Sequence, residues 1–327
     1  MSFTASPDWM PIRFFRENGL PMVEWCYMDQ RRFTEPFFDS TVDQCLRLPF
    51  NVLFRRQTPV ESLVELQTTQ PGVTPTGLIF HMTRCGSTLI SQMLAANPRH
   101  IVLSEAVPID EVLYDSPADR VVTDSDRISW LRAMVNALGQ RRHPPQHRLF
   151  VKLDAWHIHH LPLLRAAFPR TPWIFLYRDP LEVMVSQMRF RARYLLPMPE
   201  YAARFGIEPN TAWQLPPEEY TARVLASILR AALDHRSVTG GMLVNYEQLP
   251  QAVTTSITSH FGVIWSAAET EPMERASQFN AKAPYMTFEH DRQQKQLAVT
   301  DAITASTQRW LTPLYEQLES LRRGGSV

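Results

Sequence analysis

The stretch from Gly77 to Leu94, GLIFHMTRCGSTLISQML, constrains the fold more than any other part of the chain. Its apolar run, Leu78, Ile79, Phe80 and Met82, stops at Thr83-Arg84-Cys85-Gly86-Ser87-Thr88. Leu89, Ile90, Met93 and Leu94 then recur at the spacing of one helix face, so the pattern predicts a strand, a tight loop and a helix. A loop of small and hydroxyl residues that opens a helix aims free backbone N–H groups and the positive end of the helix dipole at one point, which suits an oxyanion. In the nucleoside-triphosphatase version of such a loop, the last glycine is followed by a lysine that reaches the terminal phosphates. Here Gly86 is followed by Ser87 and Thr88, and the loop's one cation, Arg84, precedes the glycine. A plain strand-to-helix turn in an α/β core would give the same local pattern, so the loop has to be read with its neighbours.

Those neighbours repeat the alternation of apolar strand and amphipathic helix, which predicts an α/β fold built on a parallel sheet with helices on both faces. Ile101-Val102-Leu103 reads as a strand ending at Ser104-Glu105, and Leu149 to Leu153 as a strand with Lys152 near its end. Trp173 to Tyr177 runs straight into Arg178-Asp179-Pro180, where Asp179 suits an N-cap and Pro180 the first helical position. Leu181, Met184, Val185 and Met188 follow at helical spacing. Gly241 to Asn245 is a fifth strand that leads to Tyr246-Glu247. Asp126 to Leu138 and Glu218 to Arg236 read as helices, Leu297 to Leu321 as a helical tail, and the Pro-rich segment Tyr194 to Pro217 as irregular, either a lid or a surface excursion. Residues 1–75 carry short strands or turns, a helix near Asp39 to Leu46 and a short element at Val60 to Thr68, with no catalytic motif. They are read as an N-terminal extension that packs on the core and shapes an acceptor pocket or a subunit contact. The turn-rich joint Gln70 to Pro75 sets them off from a domain spanning 76–327.

Charge narrows the partners. Lys plus Arg equal Asp plus Glu at 33 each, whereas a nucleic-acid binder is usually basic, so no nucleic-acid partner is expected. No apolar run approaches the roughly 20 residues that span a bilayer. The start MSFTASPDWMPIRFF lacks the basic and apolar regions of a secretory signal, so the expected location is cytoplasmic. Cys26, Cys45 and Cys85 are widely spaced and contain no C-x-x-C pair, which argues against a disulfide framework and a cysteine-based zinc site. Cys85 is either a thiol activated by a helix N-terminus or a small residue filling a tight loop.

In open α/β sheets the site lies at the carboxyl ends of the strands. Arg84, Ser87, Thr88, Glu105, Lys152 and Arg178 all fall at or just past such ends. An anion loop, a carboxylate and separate cations can together bind and transfer an oxyanion group.

This constellation resembles the sulfotransferases that use 3'-phosphoadenosine-5'-phosphosulfate (PAPS), in particular the branch similar to tyrosylprotein sulfotransferases. The 5'-phosphosulfate loop of that branch, R-S-G-T-T-L, is matched by Arg84-Cys85-Gly86-Ser87-Thr88-Leu89, with Cys85 where serine is usual. Its 3'-phosphate motif, R-D-x-x-x-x-V-x-S, is matched by Arg178 to Ser186. Lys152 with the later Phe168-Pro169, and Val244, Tyr246, Glu247 and Leu249, match two further segments, and Lys282 resembles a late basic residue near the 3'-phosphate. The resemblance covers roughly Gly77 to Leu318 and implies a P-loop-like sulfotransferase fold. It implies that Arg84 and the loop Cys85 to Thr88 hold the 5'-phosphosulfate, that Arg178 and Ser186 grip the 3'-phosphate with Lys282 near it, and that Tyr246 belongs to the cofactor site. Lys152 would stabilise the leaving oxygen, and no metal is expected. Glu105 is the first candidate for the base, after the Asn97-Pro98 segment, with Asp154 and His157 as alternatives. The acceptor is then a hydroxyl- or amine-bearing molecule that the sequence does not name, and the aromatic-rich extension leaves a homo-oligomer open. The rival readings are a nucleotide-dependent kinase on a similar fold, which would lack the loop lysine, and a nucleotide-binding scaffold without catalysis.

Overall fold

Five apolar segments pair into the sheet that carries the site. The structure, a computed structural model, describes residues 7–118, 121–281, 283–287 and 297–324, with backbone alone for 280 and 283–287. After a first hairpin, β1 (Trp9–Glu17) and β2 (Leu20–Tyr27), and a short β3 (Arg56–Pro59), the core strands are β4 (Pro75–His81), β5 (His100–Ser104), β6 (Arg148–Lys152), β7 (Trp173–Tyr177) and β8 (Gly241–Asn245). Their order in space is β5-β6-β4-β7-β8, every pair parallel. Strands buried on both faces should read as continuous apolar runs rather than as alternation. Leu78, Ile79 and Phe80 of β4 and Ile174, Phe175 and Leu176 of β7 are at most 1% exposed. Each such side chain contributes roughly 1.5–3 kcal/mol by burial, so the sheet's centre is its most strongly held part.

Because β4 sits at the middle, the chain leaves it first toward β5 and later, from β6, crosses to β7 on its other side. That reversal makes the carboxyl end of β4 the switch point where open α/β sheets place a crevice. The registers bring Ser104 level with Lys152, Ile79 level with Lys152 and with Ile174, and His81 level with Leu176. The strand ends that carry candidate residues are therefore neighbours in space.

The helices before and around the sheet are α1 (Phe38–Leu46), α2 (Pro49–Leu53), α3 (Val60–Thr69), α4 (Ser87–Ala96), α5 (Val107–Leu113), α6 (Asp124–Leu138), α7 (Leu161–Ala167) and α8 (Pro180–Arg189). Thr123 and Asp126 form a capping box that starts α6, two residues earlier than apolar periodicity alone suggested. The N-terminal hairpin pairs with β3 and is packed against α5 and α6 through Phe14, whose ring lies 5.3 Å from Trp130.

Two expectations are corrected. The segment 194–217 is not simply irregular, since it holds short helices at Pro199–Arg204 and Pro209–Ala212. Each begins on a proline, which suits the first helical turn, so prolines that read as breakers are here starters. The tail is two helices, Asp301–Trp310 and Thr312–Arg323, not one. Pro313 cannot continue a helix that began before it, and it opens the second one instead. That second helix is locked to the sheet by Glu319, which accepts from Tyr177 Oη (2.6 Å) and Asn245 Nδ2 (2.9 Å).

Candidate active site

The loop after β4 is shaped by backbone as much as by side chains. Gly86, the N-cap of α4, has φ +92°, and a Cβ added there would lie 2.8 Å from Tyr246 Cδ2 and from Leu249 Cδ1. Only glycine fits both the left-handed backbone and the close approach. No side chain caps α4, and its first N–H groups have no intrahelical partner, so they remain available to an anion. Cys85 is buried and its thiol donates to Met82 O, while burial pushes its pKa up to about 12. It fills the turn and is not an activated thiol.

Two arginines stand beside this loop. Arg84, held at φ +56°, donates from Nε to Ser186 Oγ at 2.7 Å, joining the two motifs across 102 residues of chain. Arg178 lies with its guanidinium carbon 3.9 Å above the Tyr246 ring and pairs with Glu182, one turn along α8. Asp179 caps α8 by accepting from Glu182 N at 3.0 Å, which fixes where Arg178 leaves the strand. Lys282 lies outside the described residues.

The other side is built from the ends of β5 and β6. Glu105 takes φ +57°, in the left-handed region, and its N–H donates to Lys152 O at 2.8 Å. Backbone held this way costs on the order of 1–3 kcal/mol per residue and persists at sites where geometry matters. Lys152 is buried to 1% exposure, Nζ forms an ion pair with Glu105 Oε1, and Nζ lies 5.2 Å from the Phe37 ring centre. A buried ammonium is tolerated only when paired, so each of these two charges requires the other. Burial acts to raise the Glu105 carboxyl pKa, but the Lys152 ammonium and a contact from His81 outweigh it and hold the group well below the usual range. Glu105 is therefore ionised at neutral pH.

Asp154 and His157 end in different places. Burial raises Asp154 to about pKa 7 against the pull of His157, and the residue is among those lining the cavity. His157 is turned away from the cavity. Its Nδ1 accepts from Asp154 N (3.2 Å) and its Nε2 donates to Asp110 Oδ1 (2.8 Å), so both ring nitrogens are in use. Asp110, Asp154 and His157 could group ligand atoms within 4.8 Å of one another. Asp110 is already engaged by Trp156 Nε1 (2.7 Å) and Arg204 (3.1 Å), and these donors together with His157 hold its pKa down at about 2 against the effect of burial.

A cavity of about 430 Å³ joins the two sides. Its lining includes Arg84, Gly86, Ser87, Thr88, Arg178, Ser186 and Tyr246 from the loop side, together with Glu105, Asp154, Phe37, Trp156, Tyr194 and His81. Sequence reasoning missed His81, Phe37, Trp156 and Tyr194. Of these only His81 left a signal, as the polar residue closing an otherwise apolar strand.

One cavity is thus lined by a helix-opening loop, two arginines and an ion-paired carboxylate, groups whose chemistry suits an oxyanion. The sequence profile described as the sulfotransferase family matches residues 78–267, more than half of the chain, and the protein belongs to that family. No curated protein is a detectable sequence match. The sulfotransferase STF9 from Mycobacterium avium is similar at 15% identity, over 80% of this chain and 81% of that one, with a TM-score of 0.49. STF1 from Mycobacterium tuberculosis H37Rv gives 12% identity over 77% and 82% with TM-score 0.42, and mouse SULT7A1, solved with PAP, gives 13% over 80% and 90% with TM-score 0.38. Among the described residues no helix is long and apolar enough to cross a membrane.

Proposed function

We propose that this sulfotransferase takes its sulfuryl group from PAPS and passes it to a hydroxyl- or amine-bearing acceptor held at the aromatic end of the cavity. The observation that carries the reading is that one cavity is lined both by a glycine-shaped anion loop with two arginines and by an ion-paired carboxylate. The fit to the donor rests on Gly86, where a Cβ would collide with Tyr246 and Leu249 and distort the loop, and on the two arginines beside it.

In this reading Arg84 and the N–H groups of Gly86, Ser87 and Thr88 hold the 5' side. Arg178, supported by the Tyr246 ring, and Ser186 hold the 3' side, since a guanidinium fork suits phosphate oxygens. Bound there, PAPS supplies an electrophilic sulfuryl group on a phosphate leaving group. The protein supplies position and charge, as in phosphoryl transfer. Glu105 takes the acceptor proton at Oε2, the oxygen with no partner among the described residues. Lys152 has two tasks in turn. On Oε1 it keeps Glu105 ionised, and drawn to the leaving oxygen it releases Glu105 to become more basic. Phe37, Trp156 and Tyr194 give the acceptor end apolar walls, with the Trp156 and Tyr194 rings 4.9 Å apart.

The reading is tested by calorimetric titration with 3',5'-diphosphoadenosine, ATP and ADP in parallel. Preference for the 3'-phosphorylated nucleotide by at least about tenfold, or 1.4 kcal/mol, is expected. Equal or tighter binding of ATP would overturn it.

A further inference from the structure

Asp110 on α5 is a carboxylate that the transfer chemistry does not use, yet it gathers donors from two separate parts of the chain. Its Oδ1 accepts from Trp156 Nε1 at 2.7 Å and from His157 Nε2 at 2.8 Å, both on the short helix Ala155–His160 after β6. Arg204 ends the helix Pro199–Arg204 beyond α8 and donates from Nη1 to Oδ1 at 3.1 Å and to Oδ2 at 3.3 Å. Its guanidinium carbon also lies 3.9 Å from the ring centre of Tyr114, the residue that closes α5. The side chains of Arg204 and Asp110 are only 22% and 20% exposed, and charges this far from water each require the other. Trp156 lines the cavity, and its ring lies 4.9 Å from that of Tyr194, which with Ala192 brings the segment beyond α8 to the same cavity. Tyr194 lies 5.9 Å from the ring of Phe205, the residue after Arg204. Two pieces of the aromatic wall thus run back to one carboxylate behind it, Trp156 directly and Tyr194 through the segment that Arg204 pins.

We infer that Asp110 is a positioning residue for acceptor binding: through Arg204 and Trp156 it clasps the segment beyond α8 to the helix after β6, and so sets where Trp156 and Tyr194 stand. This rests on the reading of those rings as walls of the acceptor pocket. An asparagine at 110 separates the two arms of the clasp. Its one carbonyl oxygen can still accept from Trp156 and His157, but its NH2 replaces Oδ2 and meets the guanidinium donor against donor. Arg204 then loses its anion and the segment its anchor. The nucleotide side is built from other elements, the loop after β4 and the start of α8, and keeps its residues. A wall of aromatic rings favours acceptors with an apolar or aromatic body, which a ring can stack on or meet edge to face.

The test is calorimetric titration of wild type, Asp110→Asn, Arg204→Met and the double variant, first with 3',5'-diphosphoadenosine and then, on the nucleotide complex, with 2-naphthol, 4-nitrophenol and tyramine. Each single variant should bind the nucleotide within about threefold of wild type and the probe that wild type holds tightest about 10-fold or more weakly. A merely structural role would not divide the loss in this way. The double variant should lose about as much as the larger single loss, because the two residues form one clasp and contacting residues do not add. Probe affinity unchanged in both single variants, losses that multiply in the double variant, or a nucleotide loss as large as the probe loss would overturn the inference. If Asp110→Asn does not fold, Arg204→Met and Arg204→Lys decide, since both leave Asp110 its bonds to Trp156 and His157. Lysine keeps the charge and should retain more probe affinity than methionine, and wild-type affinity in both would overturn the inference. A wild-type nucleotide complex that binds none of the three probes would overturn the acceptor-pocket reading and the inference with it, whereas failure to bind the nucleotide would count against the PAPS reading itself.

Discussion

Gly86→Ala tests the link between loop shape and nucleotide grip. At φ +92° an L-residue is strained by roughly 1–2 kcal/mol. The added Cβ would lie 2.8 Å from Tyr246 Cδ2 and Leu249 Cδ1, so both side chains must shift, at a further cost of about 1–2 kcal/mol for overpacking. The sum, about 2–4 kcal/mol, should lower Tm by about 4–12 °C in a domain of this size. The shift also has a functional consequence, because Tyr246 is the surface on which Arg178 lies at 3.9 Å. Moving the ring moves the guanidinium, and weakening one charge-assisted contact by about 1.4–3 kcal/mol lowers affinity about 10- to 150-fold. Scanning calorimetry and titration with 3',5'-diphosphoadenosine measure the two effects separately. A Tm within about 1 °C of wild type together with unchanged affinity would refute both the strain and the coupling.

Three further outcomes are expected. Arg178→Ala should weaken 3',5'-diphosphoadenosine much more than 5'-AMP in calorimetry, and equal losses would contradict its assignment to the 3' side. Asp154→Asn should be stabilising above neutral pH and nearly neutral near pH 4. Burial raises this carboxyl from 3.8 to about 7, so the unfolded chain ionises first and wild-type stability falls as pH rises through that window, by up to about 4 kcal/mol. Urea denaturation at pH 4 and pH 8 checks this, and an equal effect of the substitution at both would refute it. His157→Gln should cost stability, by about 1–3 kcal/mol through the lost bond to Asp110, while leaving the acid limb of turnover in place. A shifted limb in the pH profile would return His157 to the list of bases.

The parallel sheet was legible because its strands are buried on both faces, and runs such as Trp173 to Tyr177 have no other reading. Arg84, Ser87, Thr88, Glu105, Lys152 and Arg178 were legible for a second reason: in such a sheet, residues just past strand ends meet in space whatever their separation in the chain. What stayed hidden depends on side-chain direction. Asp154 and His157 are three residues apart, yet only Asp154 borders the cavity, because His157 is held on Asp110. His81 and Cys85 flank the same loop, but one reaches the cavity wall and the other packs beneath the turn. Phe37 comes from the N-terminal extension and Tyr194 from the segment beyond α8, and no local pattern ties either to the cavity. Prolines misled where they open helices, at Pro199, Pro209 and Pro313.

The most direct test of the central claim is Glu105→Gln, measured for turnover and for binding on the same preparation. The amide keeps the shape of the side chain and removes its basicity, so release of 3',5'-diphosphoadenosine from PAPS in the presence of an acceptor should fall by about 10²–10⁴. The Kd for that nucleotide should stay within about threefold, a difference under 1 kcal/mol. Turnover equal to wild type with intact binding would contradict Glu105 as the base, and with it the division of labour across the cavity.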